Sequence, residues 1–74
     1  MSIQVSLAPQ GALAGSVPAA SVELPDGASV EDLLVTAGLD PRTCLAVVGG
    51  AVLPRQAAVP DRARVLLYPV QAGG

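Results

Sequence analysis

Val22-Glu23-Leu24-Pro25-Asp26-Gly27-Ala28-Ser29-Val30-Glu31-Asp32-Leu33-Leu34 is the stretch that decides how this chain folds, because its periodicity changes in the middle. Val22 and Leu24 flank Glu23, the two-residue repeat of a strand with one buried face. Pro25-Asp26-Gly27 ends that strand with turn chemistry. Ser29 offers a hydroxyl to the first free amides of a helix. Glu31 and Asp32 put negative charge in its first turn, where the helix dipole favours it. Val30, Leu33, Leu34 and Ala37 then recur at helical spacing as one apolar stripe. Gly38 suits the left-handed residue that follows a helix, and Pro41 forbids continuation. A helix of about two and a half turns does not hold in water alone. It must lie on a sheet.

Strands for that sheet stand on both sides of the helix. Upstream, Ser2-Ile3-Gln4-Val5-Ser6-Leu7 alternates polar and apolar, with Ile3, Val5 and Leu7 inward. Residues 8–20, rich in Ala, Gly and Pro, read as a long turn merging into the strand Ala20-Ser21-Val22-Glu23-Leu24. Downstream, Leu45-Ala46-Val47-Val48 and Ala51-Val52-Leu53 form a hairpin. Gly49-Gly50 supplies its positive φ angles and Pro54 ends it. After a connection with a Pro60-Asp61 turn signal comes Arg64-Val65-Leu66-Leu67-Tyr68. Its nearly continuous apolar character predicts a strand covered on both faces or lying centrally. Pro69 lacks an amide hydrogen and is expected to stop the ladder on its side.

One helix across a sheet buries every apolar stripe named above. With the first and last strands paired at the centre, this is an α+β fold of the ubiquitin-like β-grasp type: a mixed sheet of four to five strands with one short helix packed across it. Residues 1–74 read as a single domain, with 70–74 a flexible C-terminal tail.

Composition narrows the chemistry. The chain has 74 residues, 51% of them hydrophobic, and such a small domain buries only about 60% of its unfolded surface. It contains no His and no Lys, one Cys, four Arg and six Asp or Glu, for a net charge of −2. The commonest general base and metal ligand is therefore missing, and so are Schiff-base and P-loop lysines. A single Cys cannot make an internal disulfide or a Cys-built zinc site. No basic patch interleaved with aromatics points to nucleic acid. No apolar run reaches the roughly 18 residues of a spanning helix, and the start lacks a signal-peptide pattern. These features predict a cytoplasmic, non-enzymatic protein with no membrane or nucleic-acid partner, no bound cofactor and no metal.

The same residues resemble the ThiS/MoaD family of ubiquitin-like sulfur carriers. The resemblance rests on the stretch 22–34, on Gly38-Leu39, on Val52-Leu53-Pro54-Arg55 after a Gly turn, and on Tyr68-Pro69-Val70 leading to Gly73-Gly74. It implies that a ubiquitin-activating-type enzyme adenylates the Gly74 carboxylate with ATP. Sulfur then replaces the adenylate, and the thiocarboxylate donates it to a sulfur-accepting synthase. Gly73 would be the narrow neck recognised behind Gly74. Leu53-Pro54-Arg55 resembles the thiamin-thiazole carriers and Pro69-Val70 the small subunit of molybdopterin synthase, so the pathway stays open. Gly49-Gly50 stands where the family often has Asn-Gly. Asp61-Arg62-Ala63 stands where it often has Asp-Gly-Asp.

Other residues read more plainly. Cys44 is a small apolar residue entering a strand. Tyr68 packs with its hydroxyl at the rim. Glu31 and Asp32 serve the helix start. Arg55, Arg62 and Arg64 are solvated or touch a partner. The resemblance makes Leu66 a candidate for docking, because some such carriers meet partners through the exposed sheet face. Two alternatives share the fold: a ubiquitin-like modifier joined to target proteins through the same tail, and a docking module whose tail is inert.

Overall fold

A computed structural model describes residues 1–70 of the chain. Strand β1 runs Ser2–Pro9, β2 Ala20–Pro25, β3 Cys44–Val48, β4 Ala51–Leu53 and β5 Arg64–Pro69; helix α1 spans Val30–Thr36, and a short 3-10 helix Gly11–Gly15 follows β1. The five strands form one sheet in the order β2-β1-β5-β3-β4. β1 and β5 run parallel at its centre, and every other pairing is antiparallel. This is the ubiquitin-like β-grasp arrangement expected from the sequence.

The core lies between the sheet and α1. Ile3, Val5 and Leu7 point inward from β1, Leu24 from β2, Ala46 from β3, and Val65 and Leu67 from β5. From the helix, Val30, Leu33 and Leu34 close on them, and Leu33, Leu34, Val65 and Leu67 are fully buried. Cross-strand register explains the match: Ile3 sits opposite Leu24, Leu7 beside Val65, and Ala46 opposite both Leu67 and Leu53. A one-residue slip in any pair would turn these residues outward. Cys44 is buried in β3 with a free thiol, as its apolar reading requires.

Helix α1 begins with a closed capping box. The Asp32 amide donates to Ser29 Oγ at 3.1 Å, and the Ser29 amide donates to Asp32 Oδ2 at 3.0 Å. Asp32 was expected to act only through the dipole; it also satisfies one of the free amides directly. Gly38 follows the helix at φ 80°, and Gly49-Gly50 at φ 59° and 82° make the primed turn that joins β3 to β4.

Two expectations need correction, and the alternatives left open for β5 are decided. Residues 8–20 are not all turn: β1 continues to Pro9, and the 3-10 helix places Leu13 against the core. Of the two alternatives for β5, the central position holds; described residues leave its second face uncovered, since Leu66 and Tyr68 point away from α1 and Tyr68 is exposed. Its continuous apolar run reflects a central strand with one open apolar face. The expected tail does not begin at Val70: the ladder towards β3 runs one rung past Pro69, where the Val70 amide donates to the Thr43 carbonyl at 2.9 Å. Along β5, alternate residues address opposite neighbours. The Leu67 carbonyl accepts from Gln10 on the β1 side, so the missing Pro69 amide falls on that side too, past the end of β1.

Candidate functional site

Gly74 and Gly73, the residues expected to carry the chemistry, lie outside the described residues. What is described is the base from which they follow. β5 is held by β1 on one side and β3 on the other, and its last rung joins Val70 to Thr43. A chain leaving there is anchored at the middle of the sheet rather than at a fraying edge.

The sheet face opposite α1 carries a second feature. Register aligns Ala8 of β1, Leu66 of β5, Val47 of β3 and Val52 of β4 in one row. The next row pairs Tyr68 with Leu45. All six side chains alternate away from the core residues of their strands, so they share the open face. Val52 is 60% exposed and Tyr68 41%, while Leu45, Val47 and Leu66 are half-buried by one another. Towards β2 the face turns polar, with Gln4, Ser6, Ser21 and Glu23, and the Ser2 hydroxyl donates to Glu23 at 2.9 Å. Arg64 precedes Leu66 on the same face and marks the boundary. Single exposed apolar side chains are unremarkable on a protein; six contiguous ones across four strands form a patch.

Leu66, the docking candidate implied by the resemblance, lies on the open face and is half-buried there. Tyr68 is a surface member of the patch rather than a packed residue with only its hydroxyl at the rim. Local sequence does not group Ala8, Leu45, Val47 and Val52 on one face. The signal that finds them is cross-strand register, which adds residues distant in sequence to one row. Arg55, Arg62 and Arg64 are all exposed, as expected.

Arg42 pairs with Asp40 at 3.2 Å, and its backbone amide donates to the same carboxylate at 2.9 Å. Hydrogen bonding from the Arg42 side chain, then from its amide, holds the Asp40 carboxyl below its usual range despite slight desolvation. Both side chains are well exposed, so the pair is a surface feature rather than an acid–base device. Among the described residues no three His, Cys, Asp or Glu side chains gather as metal ligands. No described helix is long and apolar enough to cross a membrane.

Comparison with known proteins agrees with this architecture and goes no further. No protein-family model matches the chain, and no curated protein matches it in sequence. Among solved structures it is similar to the ubiquitin of Caldiarchaeum subterraneum, with a TM-score of 0.72, 18% identity and full coverage of both chains. At that identity the likeness establishes a ubiquitin-like β-grasp fold.

Proposed function

We propose that the chain is a sulfur carrier of the ThiS/MoaD type, with Gly74 as the residue that is activated. The observation that carries the reading is a β-grasp domain whose central last strand leads, by sequence, into Gly73-Gly74. A carboxylate at neutral pH is a poor electrophile, so the chemistry needs an outside activator. An adenylating enzyme joins the Gly74 carboxylate to the AMP part of ATP and releases pyrophosphate. A sulfur nucleophile then displaces AMP, leaving a thiocarboxylate that a synthase can use. Such a protein needs no catalytic side chains of its own, and a sequence without His or Lys suits that role. Glycine at 73 leaves room for the tail to thread a narrow channel. The apolar row Ala8-Leu66-Val47-Val52 would seat the activating enzyme.

Intact mass tests the reading. Incubation with the activating enzyme, ATP and a sulfur donor is expected to add about 16 Da, as oxygen becomes sulfur at the terminus. An unchanged mass with an enzyme proven active on another carrier would count decisively against it.

The structural likeness to an archaeal ubiquitin favours a second reading, a modifier conjugated through the same terminus. Digestion of conjugates would then yield Gly74 in isopeptide linkage to a target lysine. Deleting Gly73-Gly74 separates both readings from a docking module, whose function would survive the deletion.

A further inference from the structure

The β3 edge of the sheet contains a gap next to the apolar patch, whose Leu45 and Val52 also line it. β3 begins at Cys44, but β4 pairs only with Ala46, Val47 and Val48. The primed hairpin makes Val48–Ala51 a hydrogen-bonded pair, and Ala46–Leu53 the next one. By the same alternation the Cys44 N–H and C=O face this edge, while Thr43 and Leu45 face β5. The rung opposite Cys44 would fall to Arg55. Pro54 turns the chain away first, and the Arg55 carbonyl accepts from the Glu31 amide at 3.0 Å instead. The space left is a cavity of about 410 Å³, floored by Val30, Ala46 and Leu53. Arg42 and Arg55 stand at its rim. Arg42 is paired with Asp40, whereas among the described residues Arg55 has no ion pair. Two guanidiniums against one carboxylate leave the rim cationic on a chain whose net charge is −2.

We propose that this gap receives one extended residue of a partner protein, a small apolar residue flanked by internal glutamates, which completes the β3 edge opposite Cys44. Its N–H donates to the Cys44 carbonyl and its C=O accepts from the Cys44 amide, as in strand addition. Its side chain points the same way as that of Cys44, into the apolar floor. The neighbouring residues point outward, and a glutamate there meets Arg55. The backbone gap supplies orientation, and the cationic rim selects an acidic segment over a neutral one.

The test is a titration of the full 15N-labelled chain with acetyl-Gly-Glu-Val-Glu-Gly-amide and with its Gln-Val-Gln counterpart. The Cys44 amide is expected to shift downfield and saturate, and the Gln peptide to bind about fivefold more weakly, the scale of an exposed charge pair. Arg55→Gln should weaken the Glu peptide by a similar factor and leave the Gln peptide unchanged, which isolates the pair. Arg55 is exposed and its structural bond is made by backbone, so this variant keeps the fold. No saturating shift at Cys44 up to about 5 mM peptide, an affinity too weak for recognition, overturns the proposal. So does equal binding of the two peptides, or a shift centred on Leu66 and Tyr68.

Discussion

Arg62 has φ 61°, and it is the one described non-glycine residue in the left-handed region. The turn that holds it is tied to β1 from both sides: Asp61 Oδ1 accepts from the Gln4 amide at 3.0 Å, and the Arg62 amide donates to the Gln4 carbonyl at 2.7 Å. Those bonds force a conformation that costs an L-residue roughly 1–2 kcal/mol. Glycine removes that cost but adds freedom to the unfolded chain. Arg62→Gly is therefore expected to stabilise the protein by about 0.5–1 kcal/mol, raising Tm by several degrees for a domain of this size. Arg62→Val should move the urea midpoint the other way. Asp61→Ala, which leaves the Gln4 amide without its acceptor, should cost about 1 kcal/mol. Asp40 gives a pH signature. Its pKa is lowered on folding, so its contribution is complete above 3.8, its ordinary value, and is lost as pH falls through the depressed folded value. Asp40→Asn should thus lower the urea midpoint at pH 7, by an amount that shrinks as pH falls below 3.8 and through the depressed folded value.

Helix α1 has only seven residues, so its cap matters more than it would in a long helix. Ser29→Ala opens the capping box and should cost about 1 kcal/mol by urea denaturation. Asp32→Ala should cost a comparable amount, and the double variant less than the sum, because each bond of the box fixes the geometry of the other. This element was legible in advance because cap, stripe and stop signal all fall within a few residues of one another. The same holds for the β3–β4 hairpin around Gly49-Gly50. The 3-10 helix at Gly11–Gly15 was not legible. Gly-Ala-Leu-Ala-Gly carries one large apolar side chain, no side-chain cap and no period, and only the contact of Leu13 with the core decides its conformation. β5 stays open between two alternatives in the sequence for a different reason. A strand apolar on both faces looks the same in sequence whether its second face meets protein or solvent. The place of Pro69 depended on which neighbour its missing amide faces, a property of strand order that local sequence does not contain.

At the scale of the molecule the candidate site divides the same way. Gly73-Gly74 is visible only in sequence, while the apolar row emerges only once register brings Ala8, Val47, Val52 and Leu66 together. If the proposed role holds and the row seats the activating enzyme, a charge placed in it should block activation without unfolding the domain. Val52 and Tyr68 suit the test because both are exposed and neither supports the core. Val52→Asp removes apolar contact and buries a carboxylate against the partner's apolar surface, a penalty of a few kcal/mol when unpaired. Tyr68→Ala removes the largest side chain of the patch and no charge. Both variants should keep Tm within a few degrees of wild type, since surface substitutions change stability by about 0.5 kcal/mol or less. Val52→Asp should slow formation of the species heavier by about 16 Da at least tenfold at limiting enzyme, and Tyr68→Ala severalfold, with part of each loss recovered as enzyme concentration rises. Recovery distinguishes weakened docking from damaged chemistry: a variant lacking Gly74 should stay unreactive at any enzyme concentration. If Val52→Asp is activated at the wild-type rate under limiting enzyme, the activator must approach by another surface, and the apolar row belongs to a different partner.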